Sequence, residues 1–280
     1  MKELDHSAVS EKIAELAWHA NTRLRPDVVK ALEAALSKEQ SPLGKRIIEQ
    51  LIGNAKIAKD RDIPICQDTG IASVFVELGR DVKLGGDLYQ AIQNGVRKAY
   101  REKHFRKSIN AHPALGMENT GDNTPATVEI ELVPGDELRL TVLSKGGGSE
   151  NASALAMLPV SGGLRWVEDF VLEVASRSVS ACPPVILGVA IGGDFASVGS
   201  IAKRALLRRM DDENGNPKLA ELERSLLERI NDLGLGPAGL GGTVTALAVK
   251  VEERPCHIAC LPVAVCVSCH ALRSATGSVS

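Results

Sequence analysis

The stretch ATVEIELVPGDELRLTVL, residues 126–143, decides the fold class of this chain. Apolar and polar side chains alternate on both sides of Pro134, Gly135 and Asp136. Alternation with a period of two is typical of half-buried strands, and a turn between two such runs predicts an antiparallel hairpin. The stretch therefore indicates antiparallel β structure near the middle of the chain.

Helical and strand-like segments surround this predicted hairpin on both sides. Val9, Ile13 and Leu16 recur at helical spacing, so residues 1–60 are predicted to be helical. We predict an α+β fold, in which N-terminal helices are followed by mixed, largely antiparallel sheets packed with helices. No repeat or linker is found, so residues 1–280 are expected to form a single domain. Further helices are predicted at 87–104, 164–178, 194–208 and 217–232, and further strands at 71–78, 185–191, 243–253 and 257–267.

Composition and charge exclude several classes of function. Hydrophobic residues make up 44% and charged residues 24% of the sequence, which is typical of a globular protein. A net charge of -2 and an aromatic content of 3% argue against a nucleic-acid-binding surface. No run approaches the roughly 18 apolar residues of a membrane span, and the first residues lack the apolar centre of an export signal. We therefore expect a cytoplasmic protein with no nucleic-acid or membrane partner.

The six cysteines are the main candidates for metal chemistry, because cysteines in a chain without an export signal are more often thiols or metal ligands than disulfides. Cys66 and Cys182 each stand in a turn directly before a predicted strand. The remaining four have the spacing Cys-x3-Cys-x5-Cys-x2-Cys, which matches neither a zinc ribbon nor the common ferredoxin patterns. A metal or redox site in this tail and simple core packing of some of its thiols both remain open. These four are Cys256, Cys260, Cys266 and Cys269.

Two polar turns add groups that can bind or transform a ligand. CQDTG, residues 66–70, combines a thiol, an amide, a carboxylate and a hydroxyl, although Asp-Thr-Gly is also an ordinary turn sequence. SKGGGSEN, residues 144–151, exposes main-chain amides that can bind a carboxylate, but it lacks the residue order of a P-loop. Arg106 and His257 fit either an anion site or a structural role, the former at a basic helix end and the latter beside a strand.

Seven motifs stand in order along the chain, namely PICQDTG, HFRKSI, GDNTPA, SKGGGSEN, ACPPVILGVAIGG, GLGPAGLGG and HIACLP…CVSCHALR. They resemble the motifs of the class I, iron-sulfur fumarases and the related L-tartrate dehydratases. Together they are far more specific than any one of them, and they span residues 64–273. The resemblance implies a hydro-lyase that adds water reversibly to a small unsaturated dicarboxylate. The expected reaction is fumarate to (S)-malate, and L-tartrate dehydration is the alternative.

The resemblance also implies a cofactor and a set of site residues. In this family three cysteines hold a 4Fe-4S cluster with one open iron, and their positions fall on Cys66, Cys182 and Cys269. An open-site metal acts as a Lewis acid on a leaving hydroxyl. Asp68 is the expected acid-base residue, and Cys256, Cys260 and Cys266 are left without a role. The residues expected to bind substrate are Gln67, Asp68, Arg106, Gly147 and His257.

The resemblance also implies how the enzyme is assembled from subunits. Single-chain members of the family continue past the third cysteine into a second domain, whereas this chain matches only their cluster-binding part. It therefore resembles an α subunit that acts with a separate β subunit, as a heterodimer or an α2β2 complex. The rival from another class is a non-catalytic metal-binding or redox-sensing protein that uses the C-terminal cysteines. The two hypotheses predict loss of metal on substitution of different cysteines.

Overall fold

The computed structural model describes residues 2–279, and the chain divides into two compact units. The first contains Met1–Arg25, Ala55–Gly147 and Arg273–Ser280, and the second contains Pro26–Asn54 and Gly148–Leu272. Each unit is thus assembled from separated stretches of chain. The single domain expected over residues 1–280 stays a prediction.

The chain contains both helices and strands, and the predicted α+β class is confirmed. The helices are α1 (His6–Thr22), α2 (Pro26–Lys38), α3 (Pro42–Arg61), α4 (Leu88–Glu102), α5 (Gly147–Asn151), α6 (Gly163–Ser176), α7 (Val198–Ala205) and α8 (Pro217–Asn231). The strands are β1 (Lys2–Leu4), β2 (Ile71–Gly79), β3 (Val82–Leu84), β4 (Thr127–Val133), β5 (Leu138–Lys145), β6 (Ala154–Leu158), β7 (Val185–Gly193), β8 (Ala246–Cys256), β9 (Leu261–Ser268) and β10 (Arg273–Val279). Short 3₁₀ helices cover Val160–Gly162, Ser178–Ala181 and Pro237–Gly239.

Local sequence explains where several helices begin. The side chain of Asp87 accepts a hydrogen bond from the amide of Gln90, 3.0 Å away, at the start of α4. At the start of α3, the hydroxyl oxygen of Ser41 accepts a hydrogen bond from the amide of Gly44, 3.2 Å away. Pro42, the next residue after Ser41, is the first residue of α3. An N-cap side chain satisfies an amide that has no partner within the helix, so these caps fix both starting points.

The first unit is built around a sheet with the strand order β10-β5-β2-β4. β2 pairs in parallel with β4 and antiparallel with β5, so the predicted hairpin of β4 and β5 is wrong. The turn after β4 instead passes around the end of β2, where the amides of Gly79 and Asp81 donate to the carbonyls of Glu137 and Gly135 at 2.9 and 3.0 Å. β2 is buried along most of its length, and such a strand bonds to a neighbour on each side. The core of this unit lies between the sheet and the helices α1 and α4.

The second unit is built around a sheet with the order β6-β9-β7-β8. β7 pairs in parallel with β8 and antiparallel with β9, and β9 pairs antiparallel with β6. Val185, Leu187 and Val189 pack with α6 and α8 in one hydrophobic core. Gly188 faces the other side, where a Cβ atom on it would lie 2.1 Å from the carbonyl oxygen of Ala202 in α7. The two faces of β7 are therefore both covered by helices.

Membrane insertion can be assessed from the helices of the described chain. Between residues 2 and 279, no helix is long and apolar enough to cross a membrane.

Candidate active site

One edge of the first sheet brings several predicted site residues together. Ile71 at the start of β2 pairs with Lys145 at the end of β5. The CQDTG turn, which precedes β2, therefore lies beside the glycine loop that follows β5. Gly70 has a φ of +73°, and a Cβ atom on it would lie 2.3 Å from the carbonyl oxygen of Lys145. Glycine is required there because it alone permits both the left-handed conformation and the close approach.

The carboxylate of Asp68 accepts hydrogen bonds on both oxygens. Its Oδ1 accepts from the amide of Gly70 at 3.0 Å and from the hydroxyl of Ser108 at 3.4 Å. Its Oδ2 accepts from the amide of Gly147 at 2.8 Å. Main-chain amides cannot rotate away, so they fix the direction of the carboxylate. The geometry suits a group that transfers a proton at one defined position.

The main chain of the CQDTG turn is held from three other segments. The hydroxyl of Thr69 donates to the carbonyl of Arg106 at 2.8 Å. The phenol of Tyr100 donates to the carbonyls of Thr69 and Gly70 at 2.8 and 3.1 Å. The side-chain amide of Asn123 donates through Nδ2 to the same Gly70 carbonyl at 3.1 Å. The turn is therefore a fixed platform for its side chains.

Burial shifts the pKa of the Tyr100 phenol within this platform. Removal from water raises the pKa of Tyr100 to about 12, and the positive charge of Arg273 offsets only part of that rise. A phenol is already protonated at neutral pH, so the raised pKa of Tyr100 keeps it a hydrogen-bond donor in alkaline solution as well.

The remaining predicted residues of the first unit belong to the same group. Cys66 is half-buried, and its Sγ lies 3.4 Å from Oε1 of Gln67. Gln67 and Arg106 are exposed, and the main-chain carbonyl of Arg106 contacts the CQDTG turn through the Thr69 hydroxyl. The first unit thus places Arg106 in a segment that contacts the turn of Cys66, Gln67 and Asp68.

Cys182 and Cys269 lie at one edge of the second sheet. Ile186 near the start of β7 pairs with Ser268 at the end of β9, so the residues that flank these positions are also adjacent. Nδ1 of His270 lies 3.1 Å from the carbonyl oxygen of Cys182, which joins the two segments directly. Cys182 is exposed in a left-handed conformation with a φ of 56°, and Cys269 is half-buried. The main-chain segments that carry Cys182 and Cys269 are therefore neighbours.

His257 lies at the opposite edge of the same sheet. It follows β8, whose last residue Cys256 pairs with Gly193 at the end of β7. The eight residues of β9 separate this edge from Cys269, a length of roughly 25 Å. Nδ1 of His257 accepts from the amide of Ala259 at 3.1 Å, which leaves Nε2 as the protonated nitrogen of the neutral ring. The second unit does not bring His257 together with Cys182 and Cys269.

The three tail cysteines that the resemblance leaves without a role have different surroundings. Cys266 is buried within β9, as expected for core packing. Cys256 is exposed, and its Sγ lies 3.2 Å from the carbonyl oxygen of Cys260. Across the chain between residues 2 and 279, no group of three or more His, Cys, Asp or Glu side chains is arranged to hold a metal ion.

The donor chemistry of the predicted ligands suits an iron-sulfur cluster. Cys66, Cys182 and Cys269 carry thiol side chains in loops at sheet edges, and each is at least partly accessible. Thiolates are the usual ligands of such clusters. The chain therefore offers side chains of the type that hold such clusters.

Some residues that shape this site carry no sequence signal that singles them out. Ser108 and Asn123 lie within the motifs HFRKSI and GDNTPA, but nothing in the residue pattern shows that they bond to the CQDTG turn. The amide of Ser108 also donates to Oδ1 of Asn123 at 2.7 Å, which ties the two motifs together. Tyr100 reads in the sequence as one more apolar position of a helix.

Comparison with known proteins places this chain among enzymes that add or remove water. Residues 10–278 match the family model described as fumarate hydratase (fumerase). A protein of Methanocaldococcus jannaschii provisionally named L(+)-tartrate dehydratase subunit alpha is 39% identical over 274 residues, covering 95% of this chain and 96% of that protein. The L(+)-tartrate dehydratase subunit alpha of Escherichia coli K12 is 33% identical over 273 residues, with 96% and 89% covered.

These matches define a class of enzyme, the hydro-lyases, and the chain is one of them. It belongs to the fumarate hydratase (fumerase) family. The relationship to class I fumarases and tartrate dehydratases predicted from the seven motifs is confirmed.

Proposed function

We propose that this chain is the cluster-binding α subunit of a hydro-lyase that converts fumarate and water reversibly to (S)-malate. The observation that carries the proposal is the Asp68 carboxylate, which two main-chain amides and one hydroxyl hold in place beside Cys66. A carboxylate fixed in this way beside a metal-binding thiol is suited to move a proton to and from water. Six thiols fit a reducing compartment, so we propose a cytoplasmic location.

Cys66, Cys182 and Cys269 are the proposed ligands of a 4Fe-4S cluster with one open iron. When bound, the cluster supplies a Lewis acid that makes hydroxide a better leaving group. A fourth cysteine ligand would close this position, which is why three ligands suit a catalytic rather than a structural site.

The other site residues divide between proton transfer and substrate binding. In the hydration direction Asp68 takes the proton of the attacking water, and in dehydration it returns that proton to the departing oxygen. The proton on the neighbouring carbon belongs to a second group, which we assign to the β subunit. Arg106 is proposed to bind one substrate carboxylate through its exposed guanidinium. Gln67, exposed beside Asp68, is proposed to donate to the substrate from its amide.

Gly147 has a double role in this proposal. Its amide donates to Oδ2 of Asp68 at 2.8 Å, so its first task is to fix the acid-base group. The Gly147 residue is also exposed, and a side chain there would approach Asp68 Oδ2 at 3.7 Å. The bare main chain therefore keeps the space next to the carboxylate open to a substrate.

His257 is assigned to the active site of a second copy of the chain. Roughly 25 Å of β9 separate it from the cysteine edge of its own sheet, and a four-carbon dicarboxylate cannot span that distance. This assignment favours an α2β2 complex over a single αβ pair. Mixing a Cys66→Ser α subunit with a His257→Ala α subunit should then restore part of the activity that each lacks, because one site in a mixed dimer has both residues.

L-tartrate is the second candidate substrate, and the names of the relatives favour it. Tartrate carries one more hydroxyl than malate and loses water by the same chemistry. We expect anaerobic reconstitution of the α and β subunits with iron and sulfide to yield an enzyme whose spectrum changes when (S)-malate is added. A kcat/KM higher for L-tartrate than for (S)-malate would reverse the choice of substrate, and no turnover of either would refute the proposal.

Cysteine substitutions separate this proposal from a metal site in the C-terminal tail. Changing Cys66, Cys182 or Cys269 to Ser should abolish the cluster absorbance and the activity. The matched controls Cys256→Ser and Cys260→Ser should keep both. The opposite pattern, in which the tail variants lose metal and Cys66→Ser retains it, would support the non-catalytic alternative.

A further inference from the structure

Arg273 stands out among the buried charged side chains of the first unit. It is 2% exposed, although it lies at the start of β10 beside the predicted active site. A buried guanidinium is costly unless its hydrogen bonds are made to fixed partners, so its contacts indicate what it does.

Its NH1 group makes two of these contacts. It donates to the main-chain carbonyl of Asp68 at 2.6 Å and to Oδ1 of Asn21 at 3.2 Å. Asn21 is in turn anchored, since its Nδ2 donates to the hydroxyl of Ser144 at 3.0 Å and to the carbonyl of Ala17 at the same distance. The guanidinium thus connects α1 and the end of β5 to the residue that carries the acid-base carboxylate.

Its NH2 group lies beside the glycine loop. A Cβ atom on Gly146 would be 3.4 Å from NH2 of Arg273 and 3.1 Å from Oδ2 of Asp68. The guanidinium of Arg273 and the carboxylate of Asp68 therefore both lie next to the main chain of Gly146. Nε of Arg273 is buried, and it has no hydrogen-bond partner among the described residues.

We propose that Arg273 is a positioning residue for the reaction, which holds the Asp68 peptide so that the carboxylate keeps its direction. It acts through Asp68 and does not touch the substrate. The inference rests on the proposed function, because it takes Asp68 to be the acid-base group. The register supports it, since Arg273 pairs with Ser144, which also pairs with Ala72 just after the CQDTG turn.

The test compares Arg273→Met and Arg273→Lys with the matched control Arg139→Met, an exposed arginine on the adjacent strand β5. In the reconstituted complex we expect kcat to fall roughly 10- to 100-fold for both Arg273 variants while KM changes less than about threefold, because misplacement affects the transition state more than binding. The cluster absorbance should remain. Arg139→Met should match the unsubstituted enzyme.

A second measurement separates this inference from the proposed function. Amide hydrogen exchange in peptides that cover residues 66–70 and 144–148 should accelerate in the Arg273 variants and not in Arg139→Met. This result is expected even if the unsubstituted complex turns over neither malate nor tartrate, in which case only the function fails. Unchanged exchange together with kcat within twofold of the unsubstituted enzyme would overturn the role of Arg273. If Arg273→Met does not fold, Arg273→Lys decides between these outcomes.

Discussion

Three neutral donors fix the carboxylate of Asp68, the proposed acid-base residue. Asn at this position would keep the size of the side chain and one acceptor oxygen, but an amide can neither take nor return a proton. We expect Asp68→Asn to lower kcat about 10²- to 10⁴-fold with a smaller change in KM. Steady-state assays of the reconstituted complex check this expectation, with the exposed turn variant Asp136→Asn as the control. Activity above a tenth of the unsubstituted value would remove Asp68 from its assigned role.

Glu39 is a second carboxylate held by main-chain amides, and its role is structural. It is 1% exposed and accepts from the amides of Ser41, Thr243 and Val244 at 2.8, 3.0 and 2.9 Å. Burial raises the pKa of Glu39, but these amide hydrogen bonds outweigh that effect and hold the pKa below its usual value of 4.5. The carboxylate therefore ties the α2–α3 connection to the segment before β8.

This arrangement predicts a pH-dependent contribution to stability. Because the pKa is lowered by folding, the contribution is complete above the unfolded value of 4.5 and is lost as the pH falls through the folded value. Glu39→Gln should lower the free energy of unfolding by about 1–3 kcal/mol at pH 7. Urea unfolding at pH 7 and at acidic pH should show the difference shrinking in acid. Glu33→Gln, exposed on α2, should show no such trend.

Among the elements, the packing of α7 against β7 depends on one glycine. A Cβ atom on Gly188 would lie 2.1 Å from the Ala202 carbonyl and 3.0 Å from Cγ of Leu206. Gly188→Ala should therefore force the helix away and destabilise the chain by about 1–3 kcal/mol. Gly199→Ala within α7 is the matched control, because its Cβ atom would meet nothing within 4 Å.

The control variant Gly199→Ala has an expected effect on stability of its own. Alanine has a higher helix propensity than glycine, so Gly199→Ala should be neutral or stabilising by up to about 1 kcal/mol. Thermal unfolding of both variants measures the pair. Equal midpoints for Gly188→Ala and Gly199→Ala would show that the helix accommodates the extra methyl group.

The elements also show which parts of the fold the sequence predicts. Periodicity identified most helices and the strands β2, β7, β8 and β9, because each carries a clear apolar pattern. The alternating pattern led to the wrong prediction that β4 pairs with β5, because adjacency in the chain cannot reveal that β2 lies between them. It missed β10, RSATGSV, whose small and polar side chains lack the pattern of a strand. Arg273 lies beside Asp68 because it begins that strand. The motif HIACLP…CVSCHALR contains Arg273 but does not indicate which residues are its neighbours in space.

Taken as a whole, the molecule repeats one strand arrangement in its two units. In each sheet the central strand pairs in parallel with one neighbour and antiparallel with the other, and the latter pairs antiparallel with a fourth strand. A predicted cluster ligand precedes each central strand, Cys66 before β2 and Cys182 before β7. The sequence shows no internal repeat, so the correspondence is visible only in the pairing.

The partner subunit is expected to complete the active site. The chain contains no assigned donor for the carbon-bound proton, and its proposed carboxylate ligands are few. We therefore expect the α subunit alone, with its cluster reconstituted, to have less than about a hundredth of the kcat/KM of the α and β mixture. Comparable rates for the isolated chain and the mixture would show that it carries a complete active site.

The placement of β10 has a consequence for how the protein is made. β5 is synthesised more than a hundred residues before its partner β10, so one of its edges stays unsatisfied while the ribosome completes the second unit. An open strand edge invites pairing with other chains. We therefore expect this edge of β5 to stay open to non-native pairing during synthesis until β10 occupies it.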